Sequence, residues 1–332
     1  MSDHNVLVRI TDLKKVFPIK QGLLDVMMRK PQKCVKAVDG VSLEIRKGEC
    51  MGLVGESGCG KSTLAKTLIR LHDPDGGSIV LDGEDITHIS REKMREKARN
   101  IQMIFQDPYS SLNPRMSVRA ILKEALLYHK MRPADQVDER ISELLALVGL
   151  QEQHADRYPG EFSGGQRQRI GIARALALEP KLIIADEPVS ALDVSIQAQV
   201  INLLIDLRKQ LGLTLLFISH DLRVVRYITD SVAVMYLGKI VEKAPSDELF
   251  GEPLHPYTRI LLKASPSISQ RDEDADLIQG DLPSPINLPG GCRFHPRCPM
   301  ATEKCRECDP ELREVAPDHW VACHCVDGCG CK

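Results

Sequence analysis

The sequence lacks a long uncharged apolar run, since no stretch reaches the roughly 18 residues that a membrane-spanning helix needs. Its first residues, MSDHNVLVRITDLKK, also lack the basic-then-apolar pattern of a secretion signal. A surplus of one charge is missing too: 44 Lys and Arg stand against 46 Asp and Glu, without the clustered basic face of a nucleic-acid binder. We therefore expect a cytoplasmic protein that does not span the membrane, and nucleic acid is not a leading partner.

Cysteine is scarce through most of the chain and abundant only at its end. Of the 11 cysteines, eight fall in the last 41 residues, including those in the run GCRFHPRCPMATEKC. In a reducing compartment such a cluster indicates metal or redox chemistry more than structural disulfides.

Short β-rich runs alternate with helical patterns through the first 265 residues. The runs are VLVRI, VSLEI, CMGLVG, SIVLDG, LIIAD and LTLLFIS. Near-continuous apolar runs of this length are typical of strands buried on both faces of a sheet. Residues 117–150 show helical spacing that ends near Gly149, which indicates a helical insertion in an α/β core. The run SVAVMYLGKIVE predicts a hairpin that turns at Gly238.

A change of composition near residue 265 predicts a domain boundary. Four prolines punctuate an acidic stretch rich in serine and glycine that leads to the cysteines. We predict a main domain over residues 1–265, followed over 266–332 by a Pro/Gly-rich linker and a small, irregular, Cys-rich C-terminal domain. At 332 residues the chain is long enough to bury a large core.

The run GLVGESGCGKST carries the full phosphate-loop pattern after a predicted strand and before a predicted helix. Its glycines let the backbone wrap closely around a polyphosphate, so that successive amides face the negative charge. Lys61 would contact the β and γ phosphates, and Ser62 would ligate Mg²⁺. Cys59 lies within the loop, where a tolerated small side chain is favoured over a thiol with a lowered pKa.

A second motif, LIIADEP, ends an apolar strand with two carboxylates. Asp186 at the strand end would hold Mg²⁺ or its water, and Glu187 would orient and polarise an attacking water. Two acids at a strand end also occur in solvated turns. The pairing with a complete phosphate loop favours the catalytic interpretation.

Between and after these motifs lie FSGGQRQRIGIARAL, SALD and ISHD. In the order and spacing of these elements, residues 6–265 resemble the ATP-binding-cassette ATPases. The resemblance implies a phosphate-loop NTPase core of ABC type with an inserted helical subdomain at about 107–178. It also implies a hydrolysis-competent site, since every catalytic position has the expected residue type.

The resemblance assigns roles in ATP and Mg²⁺ binding and in hydrolysis. Gln106 would sense Mg²⁺ and the attacking water, His220 would contact the γ-phosphate, and Asp193 would couple two sites across a dimer. The SGGQ helix start would receive the γ-phosphate held by the opposite subunit. The expected nucleotide-binding residues are Phe17 (stacking on adenine), Gly55, Glu56, Ser57, Gly58, Cys59, Gly60, Lys61, Ser62, Thr63, Ser163, Gly164, Gly165, Gln166, Asp186 and Asp193.

Three further runs, DPYSSLNP, DEPVSALDVS and HPYTRILLKASP, resemble the dipeptide and oligopeptide importer ATPases, a group that includes nickel importers. GCRFHPRCP is similar to their C-terminal extension. The resemblance implies a paralogous ATPase partner, two permease subunits, an extracytoplasmic peptide-binding protein, and a peripheral location on the cytoplasmic face of the inner membrane. The long loop before VKAVDGVSLEIRKGE is similar to that of the second ATPase of the pair.

The alternatives are import of nickel or another small solute, a soluble cassette ATPase that acts on ribosomes or DNA, and a redox-sensing regulator. Soluble relatives usually fuse two cassettes or insert a long coiled coil, and this sequence shows neither. Residues 18–36, which combine LLDVMM with several basic residues, fit an ordinary hairpin loop better than an amphipathic membrane contact.

The cysteine spacing is poor for a zinc ribbon, which needs two CxxC pairs. Members of the resembled family with this pattern are thought to hold an iron-sulfur cluster, which implies a [4Fe-4S] site at Cys292, Cys298, Cys305 and Cys323. Zinc and unmetallated thiols remain alternatives. Cys308, Cys325, Cys329 and Cys331 exceed the need, so the ligand set stays open. A segment so poor in large apolar residues would gain its order from metal ligation, in a structural more than a redox role.

Overall fold

The structure of the protein is a computed structural model. Its strands and helices alternate as the sequence predicts. The structure describes residues 5–19, 21, 27–28, 31–264 and 283–326. The strands are β1 (Val6–Pro18), β2 (Cys34–Arg46), β3 (Cys50–Val54), β4 (Gly76–Leu81), β5 (Glu84–Asp85), β6 (Ile101–Ile104), β7 (Leu182–Asp186), β8 (Thr214–Ile218), β9 (Ser231–Tyr236), β10 (Lys239–Pro245), β11 (Arg313–Ala316) and β12 (His319–Val321).

The helices lie between these strands. They are α1 (Lys61–Leu68), α2 (Arg91–Ala98), α3 (Pro108–Ser111), α4 (Val118–Tyr128), α5 (Val137–Leu147), α6 (Gly164–Leu176), α7 (Val194–Leu211), α8 (Leu222–Ile228), α9 (Ser246–Gly251), α10 (Pro256–Lys263) and α11 (Glu303–Glu307). No helix in the described ranges is long and apolar enough to cross a membrane.

The chain divides into two compact units, of which the first consists of residues up to Leu7, Ile45–Cys50 and His88–Ser219. Its sheet places β7 between β6 and β8 in parallel register. Every residue of β7 and β8 is buried, as the apolar runs predict for strands covered on both faces.

The helical part of the first unit contains the predicted insertion. Helices α4, α5 and α6 pack on one another. Helix α5 buries Ile141, Leu144 and Leu145, which lie on one face because they are three and four residues apart. Gly149 follows the helix with a φ of 70° and donates its N–H to Ala146. The glycine that the sequence predicts as the stop therefore supplies the left-handed residue that ends the helix.

The second unit consists of Val8–Glu44, Met51–Thr87 and the described residues from His220 onward. One antiparallel sheet has the strand order β2-β1-β4-β5. Its strands alternate between buried and exposed positions, so the expectation of burial on both faces is wrong for β1, β2 and β4. An antiparallel sheet that covers the core with one face gives this alternation.

In the second unit, strands β11, β12, β10, β9 and β3 are hydrogen-bonded neighbours in that order. Strand β3 pairs in parallel with β9, and β9 and β10 form the hairpin predicted to turn at Gly238. Strand β12 extends this sheet by pairing with β10, and β11 pairs with β12. The buried Glu242 of β10 accepts a hydrogen bond from His319 Nε2 of β12 at 2.9 Å.

We call the described residues 283–326 the cysteine segment. The structure groups this segment with the second unit, so a separate Cys-rich domain is not confirmed. The predicted boundary near residue 265 lies outside the described residues and stays a prediction, as do the domain bounds. The hairpin-loop interpretation of residues 18–36 is consistent with a bond from Ile19 N to Lys33 O at 2.9 Å, and part of that stretch is outside the described residues.

Candidate nucleotide site

The predicted site residues are divided between the two units. The phosphate loop and His220 belong to the second unit, whereas Gln106, the SGGQ residues, Asp186, Glu187 and Asp193 belong to the first. Each group is therefore described within its own unit.

The phosphate loop joins β3 to α1, as the motif predicts. Gly60 precedes the helix with a φ of 113°, and a Cβ atom there would lie 2.1 Å from the backbone oxygen of Ala37. A Cβ atom on Gly55 would lie 2.1 Å from the backbone oxygen of Met235. Glycine is required at both positions because neighbouring backbone approaches too closely for any side chain.

Lys61 is buried and folds over the loop. Its Nζ donates hydrogen bonds to the carbonyl oxygens of Gly55 at 2.7 Å and Glu56 at 3.0 Å. Ser62 and Thr63 follow in the first turn of α1 and are half-buried, whereas Ser57 and Gly58 at the loop tip are exposed. The loop therefore presents a cationic ammonium and a helix start on the same few residues, which suits a polyphosphate.

Cys59 is 1% exposed and lies close to Lys61. Burial raises the pKa of the Cys59 thiol, and this effect outweighs the opposing charge of Lys61. The alternative of a thiol activated by a lowered pKa is therefore wrong, and Cys59 acts as a small buried side chain.

Phe17 is half-buried near the end of β1. Its ring lies edge-on to His72, with ring centroids 5.2 Å apart, and Lys15 Nζ lies 5.4 Å from the ring centroid. These contacts neither provide nor remove an adenine platform, so stacking on adenine stays a prediction.

The two carboxylates of LIIADEP differ in burial. Asp186 ends β7 opposite Ile218 of β8 and is 4% exposed. Glu187 follows with a φ of 46°, and its N–H donates to Ile218 O at 2.9 Å. A left-handed residue directly after a strand turns the chain sharply, so successive side chains leave the sheet edge in different directions.

Gln106 and Glu187 meet although 81 positions separate them in the sequence. Gln106 Nε2 donates a hydrogen bond to Glu187 Oε2 at 2.8 Å. The strands that precede them, β6 and β7, are parallel neighbours, so their carboxyl ends share one edge of the sheet. This pair places a carboxylate base beside an amide that can orient the same water molecule.

The SGGQ motif forms the start of α6. Ser163 caps the helix by accepting from Gln166 N at 3.3 Å, and Gln166 Oε1 accepts from Ser163 N at 3.1 Å. This capping box leaves the first-turn amides of Gly164 and Gly165 without partners inside the helix. The motif therefore presents backbone donors and the positive helix end, as an anion site requires.

The SALD motif packs on that helix start. Asp193 is exposed and precedes α7. A Cβ atom on Gly165 would lie 2.3 Å from Ile196 Cγ2, and one on Gly164 would lie 3.1 Å from Leu192 Cδ2. The small residues thus allow the SGGQ and SALD motifs to meet within one unit. His220 in the second unit is exposed.

The donor types fit the expected Mg²⁺, because hydroxyl, carboxylate and amide oxygens are its usual protein ligands. Ser62, Asp186 and Gln106 supply these three types. The cysteine segment, by contrast, does not show a metal site. Within the described ranges, no group of three or more His, Cys, Asp or Glu side chains is arranged to hold a metal ion.

The cysteines of the segment nevertheless lie close enough to influence one another. Burial raises the pKa of Cys292 to about 11, with smaller contributions from Cys305, Cys323 and Cys298. Cys292 N donates to Cys305 O at 2.8 Å. Of the four cysteines beyond the predicted ligand set, Cys329 and Cys331 lie outside the described residues.

Sequence reasoning missed several residues beside the loop. Arg297 contacts the Glu56 carboxylate, and Tyr257 Oη accepts a hydrogen bond from Glu56 N at 2.9 Å. Phe294 is 1% exposed and packs against both Tyr236 and Tyr257. Phe294 and Arg297 lie in the run GCRFHPRCP and Tyr257 lies in the run HPYTRILLKASP, and neither run indicates a contact with the phosphate loop.

The parallel strands, the phosphate loop and the ordered motifs define an ATPase of the ATP-binding-cassette class. The sequence model described as "ABC transporter" matches residues 38–190, and that described as "Oligopeptide/dipeptide transporter, C-terminal region" matches residues 241–305. The structure is also similar to the dimeric, post-hydrolysis ATP-binding cassette MJ0796 bound to ADP and Pi. The TM-score is 0.63 and the identity 27%, over 72% of this chain and 99% of that one.

Among curated relatives, the oligopeptide transport ATP-binding protein AppF of Bacillus subtilis (strain 168) is 54% identical over 97% of this chain and 98% of its own length. The putative oligopeptide transport ATP-binding protein YkfD of the same strain is 52% identical over 88% of this chain and 90% of its own length. The chain therefore belongs to the family of ATP-binding proteins of oligopeptide ABC transporters.

Proposed function

We propose that this protein is the ATPase subunit that powers the import of dipeptides or oligopeptides through a membrane permease. The observation that carries the proposal is the near full-length identity of 54% to an oligopeptide transport ATP-binding protein. The match of residues 241–305 to the oligopeptide/dipeptide C-terminal region supports the same substrate class. In this proposal a paralogous ATPase and two permease subunits complete the complex, and an extracytoplasmic protein delivers the peptide. The ATPase works at the cytoplasmic face of the membrane.

In the proposed reaction the phosphate loop binds the ATP polyphosphate through its amides and Lys61. Mg²⁺, when bound with ATP, neutralises charge on the phosphates, and Ser62 and Asp186 are its proposed ligands. Glu187 would accept a proton from the attacking water. Gln106, which already donates to Glu187, orients that water.

The proposal gives the SGGQ helix start a role across a dimer. Its first-turn amides would bind the γ-phosphate held by the partner ATPase, so two nucleotides would lie between two subunits. Asp193 lies at the start of the helix that packs on this motif and would couple the two sites. His220 would contact the γ-phosphate and help position the water. Closure of the dimer would move the permease, and hydrolysis would reset it.

Peptide uptake in cells or vesicles that contain the complete transporter tests the proposal. With Glu187→Ala we expect uptake to be abolished while ATP binding is retained, because the proton acceptor is lost and the phosphate loop is not. Intact uptake by this variant would contradict the proposed mechanism. Competition separates the cargo classes: an excess of unlabelled peptide should block uptake, whereas uptake of nickel that peptides do not inhibit would replace peptide by metal as the cargo.

We propose also that Cys292, Cys298, Cys305 and Cys323 ligate an iron-sulfur cluster with a structural role. Support comes from the donor type, since thiolates from an irregular segment are typical cluster ligands. The described arrangement does not itself form a metal-binding group, so the hydrolysis mechanism includes no step that depends on a cluster.

Metal and sulfide analysis of protein purified without oxygen tests this second proposal. We expect stoichiometric iron and sulfide, lost in Cys305→Ser and retained in the matched control Cys308→Ser, because Cys308 is exposed and outside the proposed ligand set. Zinc without sulfide, or no metal at all, would overturn it.

A further inference from the structure

The cysteine segment contacts the phosphate loop through a two-pronged ion pair. Arg297 donates through both terminal guanidinium nitrogens to Glu56, with distances of 3.0 Å to Oε2 and 3.1 Å to Oε1. The Arg297 side chain is 6% exposed and that of Glu56 is 19% exposed. A bidentate, mostly buried pair of this kind fixes orientation as well as distance. Glu56 directly follows the first glycine of the loop.

The backbone of Glu56 is fixed from the same side. Its N–H donates to Tyr257 Oη at 2.9 Å, and Arg297 also donates to Tyr236 Oη at 3.3 Å. The two tyrosine rings have centroids 4.6 Å apart, and Phe294 of the cysteine segment lies 5.3 and 5.4 Å from them. Both the side chain and the amide of Glu56 therefore depend on one cluster, to which the segment contributes Arg297 and Phe294.

The position of Arg297 in turn depends on the fold of the segment. Arg297 ends the single helical turn His295–Arg297, and its own N–H donates to Phe294 O at 3.0 Å. Nearby, Arg293 forms an ion pair with Asp39 and donates to the carbonyl of Leu237. These contacts hold the run between Cys292 and Cys298 against the strands that flank the loop.

We propose that Arg297 is a positioning residue for nucleotide binding, which acts through Glu56 to hold the phosphate loop in its binding shape. The inference rests on the proposed function in one respect, namely that this loop binds the phosphates of ATP. It adds that ATP affinity depends on the cysteine segment, so that a change which disorders the segment weakens nucleotide binding. The loop motif alone is then not sufficient for full affinity.

ATP titration of the full chain with Arg297→Gln, Glu56→Gln and the double variant tests the inference. We expect each single change to weaken ATP binding about tenfold, a typical coupling between two sites. The double variant should be no weaker than either single one, because both remove the same interaction. Arg297→Lys keeps the charge but cannot donate two parallel hydrogen bonds, so its ATP affinity should lie between those of wild type and Arg297→Gln. The matched control Arg306→Gln, an exposed arginine of the same segment, should bind as wild type does.

Two further readouts separate positioning from a merely structural role. In Arg297→Gln, KM for ATP should rise while kcat at saturating ATP stays unchanged, because Arg297 acts on binding. A role in folding alone would instead lower the melting temperature and leave the ATP affinity of the folded fraction unaltered. If Arg297→Gln does not fold, Arg297→Lys carries the test, since it keeps the charge and the length of the side chain but cannot form the bidentate pair.

Wild-type affinity in both single variants, or additive losses in the double variant, would overturn the inference while the proposed function stands. A wild-type chain that does not bind ATP would overturn both, which distinguishes the two failures.

Discussion

The phosphate loop and the cysteine segment are held in place by different kinds of contact. The loop owes its shape to glycines at positions where a side chain would collide with backbone, as at Gly60 beside Ala37. The cysteine segment owes its position to long-range partners: Arg297 on Glu56, Phe294 on two tyrosines, and His319 on the buried Glu242. A motif shows the required glycines within a dozen residues, although the backbone that they admit belongs to Ala37 and Met235. The second kind joins residues that are 37 to 241 positions apart and has no local signature.

The largest expected effect concerns a glycine of the phosphate loop. Gly60→Ala places a Cβ atom 2.1 Å from a backbone oxygen at a φ of 113°, so the loop must move. We expect the free energy of unfolding to fall by about 4 kcal/mol or more, as for other changes at strained backbone positions. Denaturant unfolding measures the change.

Gly58→Ala is the matched control for this loop prediction. Gly58 also has a positive φ, of 79°, but a Cβ atom there meets nothing within 4 Å. Only the cost of a left-handed alanine remains, about 1–2 kcal/mol. Equal losses in the two variants would show that conformation and not backbone collision decides the role of Gly60.

The next largest effect concerns the cysteine segment. Phe294→Ala removes a ring that is 1% exposed and in contact with His255 and two tyrosines. We expect a loss of about 3–5 kcal/mol in unfolding free energy, typical of a buried aromatic replaced by alanine. The control Ile286→Ala, in the same segment but 38% exposed, should cost under about 0.5 kcal/mol. A small effect at Phe294 would mean that the segment is not anchored by this cluster.

The smallest effect is a pH dependence at His255, which packs on Phe294. Burial lowers the pKa of His255 to about 3, with a smaller contribution from Arg259, and its Nδ1 accepts a hydrogen bond from Tyr257 N at 3.0 Å. The unfolded chain, with an ordinary histidine pKa of about 6.5, binds a proton that the folded chain excludes. His255 should therefore cost about 1.4 kcal/mol of stability per pH unit below about pH 6.5, or about 2 kcal/mol between pH 6.5 and 5.

His255→Asn provides the comparison, because asparagine can cap α10 without titrating in this range. Unfolding free energies measured between pH 7 and 5 should fall less steeply in this variant than in wild type. Parallel pH profiles would contradict the assignment of a neutral, buried histidine.

The elements that the sequence predicted well are those whose cause is local. The phosphate loop, the stop at Gly149 and the hairpin at Gly238 each follow from a few adjacent residues. Gln106 meets Glu187 because β6 and β7 are parallel neighbours, and the resemblance had given both residues a role around the attacking water.

The rest could not be predicted because its causes are spread along the chain. The thiol of Cys59 lies beside Lys61 in sequence, yet burial by distant residues raises its pKa. Likewise, no residue near Arg297 in the sequence indicates that Glu56 is its partner. Such pairs depend on which strands are neighbours in the fold. The pairing of β12 with β10, for example, appears only in the structure.

The measurement that tests the account most directly is ATP hydrolysis by the purified protein, wild type and Glu187→Gln, followed by phosphate release alongside ATP binding. We predict that wild type hydrolyses ATP. The variant should bind ATP with wild-type affinity and lose at least about 100-fold in turnover, because general base catalysis contributes roughly that much or more. Turnover by Glu187→Gln at the wild-type rate would contradict the assignment of this carboxylate, held by Gln106 at the end of β7, as the proton acceptor.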